Sequence, residues 1–286
     1  NLTWELTDDG KLTIEGTGAM YGYGWSDSPL YSHHEFITEV VIPEGVTNIG
    51  EGIFWDCTGL AEITIPAGVT SIDNYAFSGC RNLVAVSVPE SVKSIGVYAF
   101  QNCNQLSEIT FEENSQLTEI KPYTFAYCDA LTSIEIPTSV THIRNNAFYD
   151  CDGFVDFELH DSIAYIGSWA FEYCDNLENV YSYNLTPATI EWGAFSSINS
   201  SAKIYVPSES LDEYKSQWSN YQDIIVGFVT YSESGWTSIP VPTDYAYVDY
   251  PLVISENDTL SVYSLYISNN GAVTVEDGGQ LICHKT

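Results

Sequence analysis

Positive charge is the scarcest thing in this chain. Eight lysines and arginines face 39 aspartates and glutamates, leaving a formal charge of −31 over 286 residues. A surface so acidic repels phosphates and anionic lipid headgroups, which argues against nucleic acid and bare membrane as partners. It favours basic protein patches and divalent cations. Methionine occurs once. No run approaches the ~18 apolar residues of a membrane-crossing helix, so no membrane insertion is expected of this stretch. The chain opens directly on Asn1-Leu2-Thr3-Trp4, as a secreted protein does once its signal is removed. Leu281 to Thr286 read as an interrupted strand, so the natural protein is expected to continue. What the chain does have is apolar content, at 44%, and 21 tyrosines with seven tryptophans. That is too hydrophobic for disorder, and tyrosine and tryptophan are frequent at binding surfaces.

Phenylalanine recurs at Phe54, Phe77, Phe100, Phe125, Phe148, Phe171 and Phe195, at intervals of 23, 23, 25, 23, 23 and 24. A cysteine follows each of the first six by three residues: Cys57, Cys80, Cys103, Cys128, Cys151 and Cys174. An isoleucine precedes each phenylalanine by five: Ile49, Ile72, Ile95, Ile120, Ile143, Ile166 and Ile190. A fixed period in the twenties marks a leucine-rich repeat. One unit runs Cys57-x-x-Leu60-x-x-Ile63-x-Ile65-Pro66-x-x-Val69-x-x-Ile72-x-x-x-Ala76-Phe77. Ile63-Thr64-Ile65 alternates as a strand does, and Pro66 ends the ladder because it has no N–H to donate.

This register predicts a β-rich solenoid of about eight rungs with a parallel concave sheet. Its strands centre on Val41, Thr64, Ser87, Thr110, Glu135, Glu158, Tyr181 and Tyr205. The two extra residues of the Cys103 unit fall within Glu112 to Gln116 and are expected to bulge from one rim. Residues 1–36 read as an N-terminal cap, a hairpin around Asp8-Asp9-Gly10. Residues 37–227 form the solenoid and end in a capping helix over Glu209 to Trp218, with Ser208 or Ser210 as its N-cap. Residues 228–286 read as a linker, Thr237 to Tyr250, and the start of a second small β module in which short strands suit a parallel β-helix.

The pattern Leu-x-x-Ile-x-Ile-Pro, Val-x-x-Ile, Ala-Phe and the following cysteine resembles the BspA-type leucine-rich repeats of bacterial surface proteins. Gly16-Thr17-Gly18-Ala19-Met20 matches the opening of that family. Ile204-Tyr205-Val206-Pro207, leading to Leu211, Tyr214 and Trp218, matches its exit. The likeness covers residues 1 to about 227. It implies a solenoid displayed outside the cell or on its surface, acting as an adhesin toward host or neighbouring-cell proteins. One repeat type serves many partners, so the ligand has to be argued from the site.

The candidate site residues are the outward ones. Glu62, Glu108, Glu135, Asp156, Glu158, Tyr181 and Tyr205 are expected to lie exposed on the concave sheet, between inward Ile63, Ile109, Ile134 and Val180. Glu39 belongs to the same set. A rim column, Tyr75, Tyr98, Tyr123 and Trp169, lies two residues before the repeat phenylalanines with Asn146 interrupting. These rings suit sugars or a protein partner, or they shield the rim of a thin solenoid. A glycan is therefore the alternative to a protein as extracellular partner. The cysteines should form a buried, reduced ladder bonding weakly to turn amides. Stacked ~4.8 Å apart with parallel side-chain vectors, they do not suit a disulfide, which wants Cβ atoms turned together. Nor do they converge on one point as zinc needs.

No cofactor and no catalytic residue is expected. None of His33, His34, His142, His160 and His284 shares a nucleophile-and-base motif. Paired carboxylates on the sheet are the one feature a glycosidase would share. Asp129, Asp152 and Asp175 follow cysteines directly and are the candidate ligands for calcium. Aspartate at a turn ordinarily bonds its own backbone instead.

Overall fold

The computed structural model describes residues 2–23, 28–232, 235–236, 245–248, 251–254, 259–262, 264–267, 272–275 and 280–283. The expected linker residues Pro240, Pro242 and Asp244, the turns at 257–258, 269–271 and 277–279, and His284 lie outside them. The chain divides into two compact units, Asn1–Val180 with Ala188–Ala202, and Tyr181–Pro187 with Lys203–Thr286. The fold is a parallel β-solenoid of about eight turns with little helix.

In the first unit the opening hairpin pairs Leu2–Leu6 with Lys11–Gly16, antiparallel. Its second strand runs parallel to Glu39–Val41, so the hairpin starts the stack. A front column of strands then follows: Glu62–Thr64, Ala85–Val88 and Glu108–Phe111 pair in parallel, and Asp156–Leu159 comes two rungs later. Each alternates exposed and buried residues, which is the period-2 signature of a half-buried strand. Pro43, Pro66, Pro89 and Pro137 each close the following turn, accepting at their carbonyl from the N–H of Val46, Val69, Val92 and Val140.

A second column of two-residue strands carries the repeat isoleucines. Ser71–Ile72 and Ser94–Ile95 follow Val46–Ile49; Glu119–Ile120, His142–Ile143, Tyr165–Ile166 and Thr189–Ile190 form another parallel set. Two residues are too few to show an alternation in the sequence, which is why this return path does not read as a sheet.

All seven repeat phenylalanines are buried, Phe195 being the most open at 2%. Their rings stack rung on rung at 5.1–5.6 Å. The six cysteines are buried free thiols. As expected, those from Cys80 onward bond turn amides, and do so at the carbonyl. Each thiol from Cys80 onward donates to the carbonyl of the phenylalanine one rung back, as in Cys80 Sγ to Phe54 O at 3.1 Å and Cys151 Sγ to Phe125 O at 3.0 Å. Phe54 O already accepts from the Cys57 N–H, so the thiol occupies its second lone pair.

One expected strand is missing. Residues 132–137 around Glu135 form no strand, and Ile134 is only half-buried while Ile136 is buried. The insertion explains it. Glu112 N–H donates to Val88 O, and the Glu112 carboxylate accepts from the Glu90 N–H at 3.1 Å. The extra residues are thus tied back to the preceding rung, and Glu108–Phe111 is left without a forward partner in register.

In the second unit Lys203–Pro207 pairs in parallel with Ile225–Ser232, that strand with Tyr245–Val248, and Tyr245–Val248 with Ser264–Ile267. Pro251–Ile254 with Ala272–Val275 and Thr259–Val262 with Gln280–Cys283 are parallel too. Three such columns repeated at about one rung's spacing are the parallel β-helix pattern expected of the C-terminal module. Val229, Ala246, Val248, Leu252, Ile254 and Leu260 form its core. The helix is Leu211–Gln217. Neither serine caps it through its side chain; Ser210 Oγ donates instead to Leu185 O at 2.6 Å. Tyr214 is buried, its hydroxyl donating to Asn184 O at 2.8 Å.

Candidate binding surfaces

The front strands point their outward side chains at solvent because the inward set alone fills the core. Glu62 and Glu108 are exposed, and both register against Ala85 on the rung between them. An alanine between two carboxylates avoids the repulsion of like charges directly opposed. Asp156 and Glu158 are exposed on the strand two rungs on, and Asp156 accepts from Asn179 Nδ2 at 2.6 Å. Glu39 is exposed and paired with Lys11 at 2.6 Å. Glu135 is exposed off any strand, beside a hollow of about 490 Å³ lined by Phe111, Glu113 and Ile136.

Tyr205 does not lie open as expected. It is buried, at 7% exposure, and packs with Phe228. Its strand pairs Tyr205 with Val226, so the neighbouring strand covers the ring. Tyr181 is half-buried and stacks on Tyr205 at 5.0 Å. The two tyrosines therefore belong largely to the second unit's core.

The rim column holds in register but differs in character. Tyr75, Tyr98, Tyr123 and Trp169 are half-buried and all have positive φ, between 56° and 60°. Gly52, Asn146 and Gly193 fill the same register position in other rungs, also at positive φ. The rung needs a left-handed residue there, and glycine and asparagine are the ordinary ones. That mixture of Gly, Asn, Tyr and Trp at one register was the available signal in the sequence. Tyr75, Tyr98 and Tyr123 stack at 4.7 Å with planes within 19°. Both faces of Tyr98 are covered by its neighbours, which leaves edges rather than faces for a ligand. Burial, and then the neighbouring phenol and carboxylate groups, push the hydroxyls of Tyr75 and Tyr123 up from their ordinary pKa.

Asp129, Asp152 and Asp175 do not gather around a point. Among the described residues no three acidic, histidine or cysteine side chains stand where they could hold a metal ion. Asp129 accepts from Asn104 Nδ2 at 2.8 Å, and Asp152 accepts from the Asp175 N–H at 3.0 Å. The turn aspartates thus stitch adjacent rungs together, where bonds to their own backbone were expected.

A parallel solenoid with a repeat of this register defines the class of leucine-rich-repeat proteins. The BspA type Leucine rich repeat region matches over residues 28–154 and 118–224, in six copies, and the chain belongs to that family. Similar solved structures include the leucine-rich repeat protein TpLRR of T. pallidum, at 27% identity, covering 72% of this chain and 78% of that one, with a TM-score of 0.44. A leucine-rich cell surface protein of Faecalibacterium prausnitzii is 17% identical, covering 93% of each chain, with a TM-score of 0.42. A leucine-rich repeat protein of Eubacterium ventriosum is 19% identical, covering 89% of this chain and 85% of that one, with a TM-score of 0.35. Among curated proteins none matches. Among the described residues no helix is long and apolar enough to cross a membrane.

Proposed function

We propose that this chain is an extracellular or cell-surface interaction module of the adhesin type, without catalysis, whose front strands take a basic protein surface. The observation that supports this most is the alternation on the front strands. Inward residues alone satisfy the core, so exposed Glu62, Glu108, Asp156 and Glu158 sit on rigid backbone with no packing duty. A row of carboxylates held so steers cationic partners and adds association rate more than affinity. The four carboxylates remain on an open, wetted face, where none acquires the shielded surroundings an acid–base pair uses. The name of the F. prausnitzii protein places that relative on a cell surface, which supports the same location here.

The test is binding to immobilised extracellular-matrix proteins over a salt series, with Glu62→Lys/Glu108→Lys beside the parent. Association should slow as salt rises, and the charge-reversed protein should bind more slowly still. Binding that ignores both salt and charge reversal would overturn the reading.

A further inference from the structure

Sugar recognition needs an aromatic face open to solvent, and the tyrosine ladder does not offer one. Another place in the first unit does. Trp192 is 67% exposed, and its indole meets that of Trp169 at 5.5 Å with planes 85° apart. So open an indole keeps a face uncovered, while Trp169 forms a wall at a right angle to it. The corner exists because glycine stands at position 193. A Cβ there would come 2.9 Å from Cδ1 of Trp169 and 3.0 Å from its Nε1. The Trp169 indole can close over that backbone only where no side chain rises from it.

Polar groups of both signs lie on the same rungs. His142, Tyr165 and Thr189 are in register, and the residues two positions on are Arg144, Gly167 and Glu191. Gly167, between them, is buried, and a Cβ there would fall 2.4 Å from Asn145 Oδ1, so the backbones of adjacent rungs approach closely at this point. Arg144 donates through Nε to Glu119 at 2.7 Å, and its guanidinium lies 5.5 Å from the centre of the Tyr165 ring. Among the described residues neither terminal amino group of Arg144 makes a hydrogen bond. Burial first, and then the charge of Glu191, raise the Tyr165 hydroxyl from its ordinary pKa, in keeping with Glu191 standing close by.

We propose that the Trp169–Trp192 corner binds a neutral carbohydrate, stacked on Trp192, with Arg144 and Glu191 meeting its hydroxyl groups. A sugar hydroxyl both donates and accepts, which a carboxylate and a guanidinium satisfy together. A basic segment is opposed by Arg144, and an acidic one by the charge of the whole chain. This inference does not rest on the protein-partner reading, because its residues are separate from the front strands.

The experiment is calorimetric titration with cellohexaose, mannohexaose and maltohexaose at low and high salt. At least one should bind, with an affinity that salt leaves unchanged. Trp192→Ala should weaken it about tenfold without lowering the melting temperature, since the side chain is exposed. Glu191→Gln should weaken it less. Front-strand variants such as Glu62→Lys should leave it unaltered. The proposal is overturned if none of the three binds at millimolar concentration. It is equally overturned if Trp192→Ala leaves the affinity unchanged, or if a lysine-rich peptide binds the corner in a salt-dependent way and the sugars do not.

Discussion

The phenylalanine ladder and the tyrosine ladder two residues upstream stand on the same rungs at nearly the same spacing, yet they are held by opposite balances. Each phenylalanine is fully enclosed, and its truncation leaves a cavity bounded by two other rungs. Each tyrosine holds a left-handed backbone, which costs an L-residue about 1–2 kcal/mol. Stacking returns about 0.5–1.5 kcal/mol, so the tyrosine column roughly breaks even. Folding therefore dictates identity at the inner position and only geometry at the outer one. The sequence behaves accordingly: phenylalanine never varies over seven rungs, while the outer site takes Gly52, Tyr75, Asn146 and Trp169. A binding surface can be written on the outer position at little cost in stability.

Alkali should act on the inner stack most. Burial raises the thiols, Cys174 to about 12 and the others of the ladder at least as clearly. An unfolded thiol ionises near 9. Because the folded values are raised, the stability they carry is complete below about pH 9 and is lost as pH climbs toward 12. Each thiol contributes about 1.4 kcal/mol of loss per pH unit within that window. Urea midpoints should hold from neutral pH to about 9 and fall steeply within this window, with the native thiols unreactive to a thiol reagent until unfolding. A flat midpoint, or three disulfides by intact mass, would mean that the ladder is not a buried reduced stack.

Next in size is Phe125→Ala, which should cost about 3–5 kcal/mol. Phe125 contacts Phe100 and Phe148 at 5.6 Å each, so the loss spreads to both neighbouring rungs. Hydrogen exchange should quicken in all three. Quickening confined to one rung would show that the rungs are stabilised singly.

The repeat register and the buried phenylalanines and cysteines were legible because each recurs at a nearly fixed interval with one residue type. Ile63 and Ile109 could be placed inward from alternation alone. What escaped depended on contacts that a period does not encode. Tyr205 has the outward phase of its strand, and it is the neighbouring side chains, Phe228, Val226 and Tyr181 among them, that cover it. Glu135 keeps the phase of Glu108, but the insertion at Glu112 turns backward and withdraws the partner strand. Trp192 sits one residue off the aromatic register because Gly193 takes the left-handed site, so a search by column passes over it.

The smallest effect should come from Tyr98→Gly, and it tests the comparison most sharply. The substitution removes two ring contacts at 4.7 Å and at the same time relieves the backbone at φ 60°, where glycine is at ease. The lost stacking and the relieved strain oppose each other. Glycine also adds freedom to the unfolded chain, which costs the fold about 0.5–1 kcal/mol. The net change should stay within about 1 kcal/mol, several times below Phe125→Ala, and a paired set of urea midpoints would read it directly. Tyr98→Ala removes the same ring but keeps a Cβ in the left-handed conformation, so it should be the less stable of the two. If Tyr98→Gly instead cost as much as Phe125→Ala, the tyrosine stack would be a second structural spine. The outer position would then be as tightly dictated by folding as the inner one.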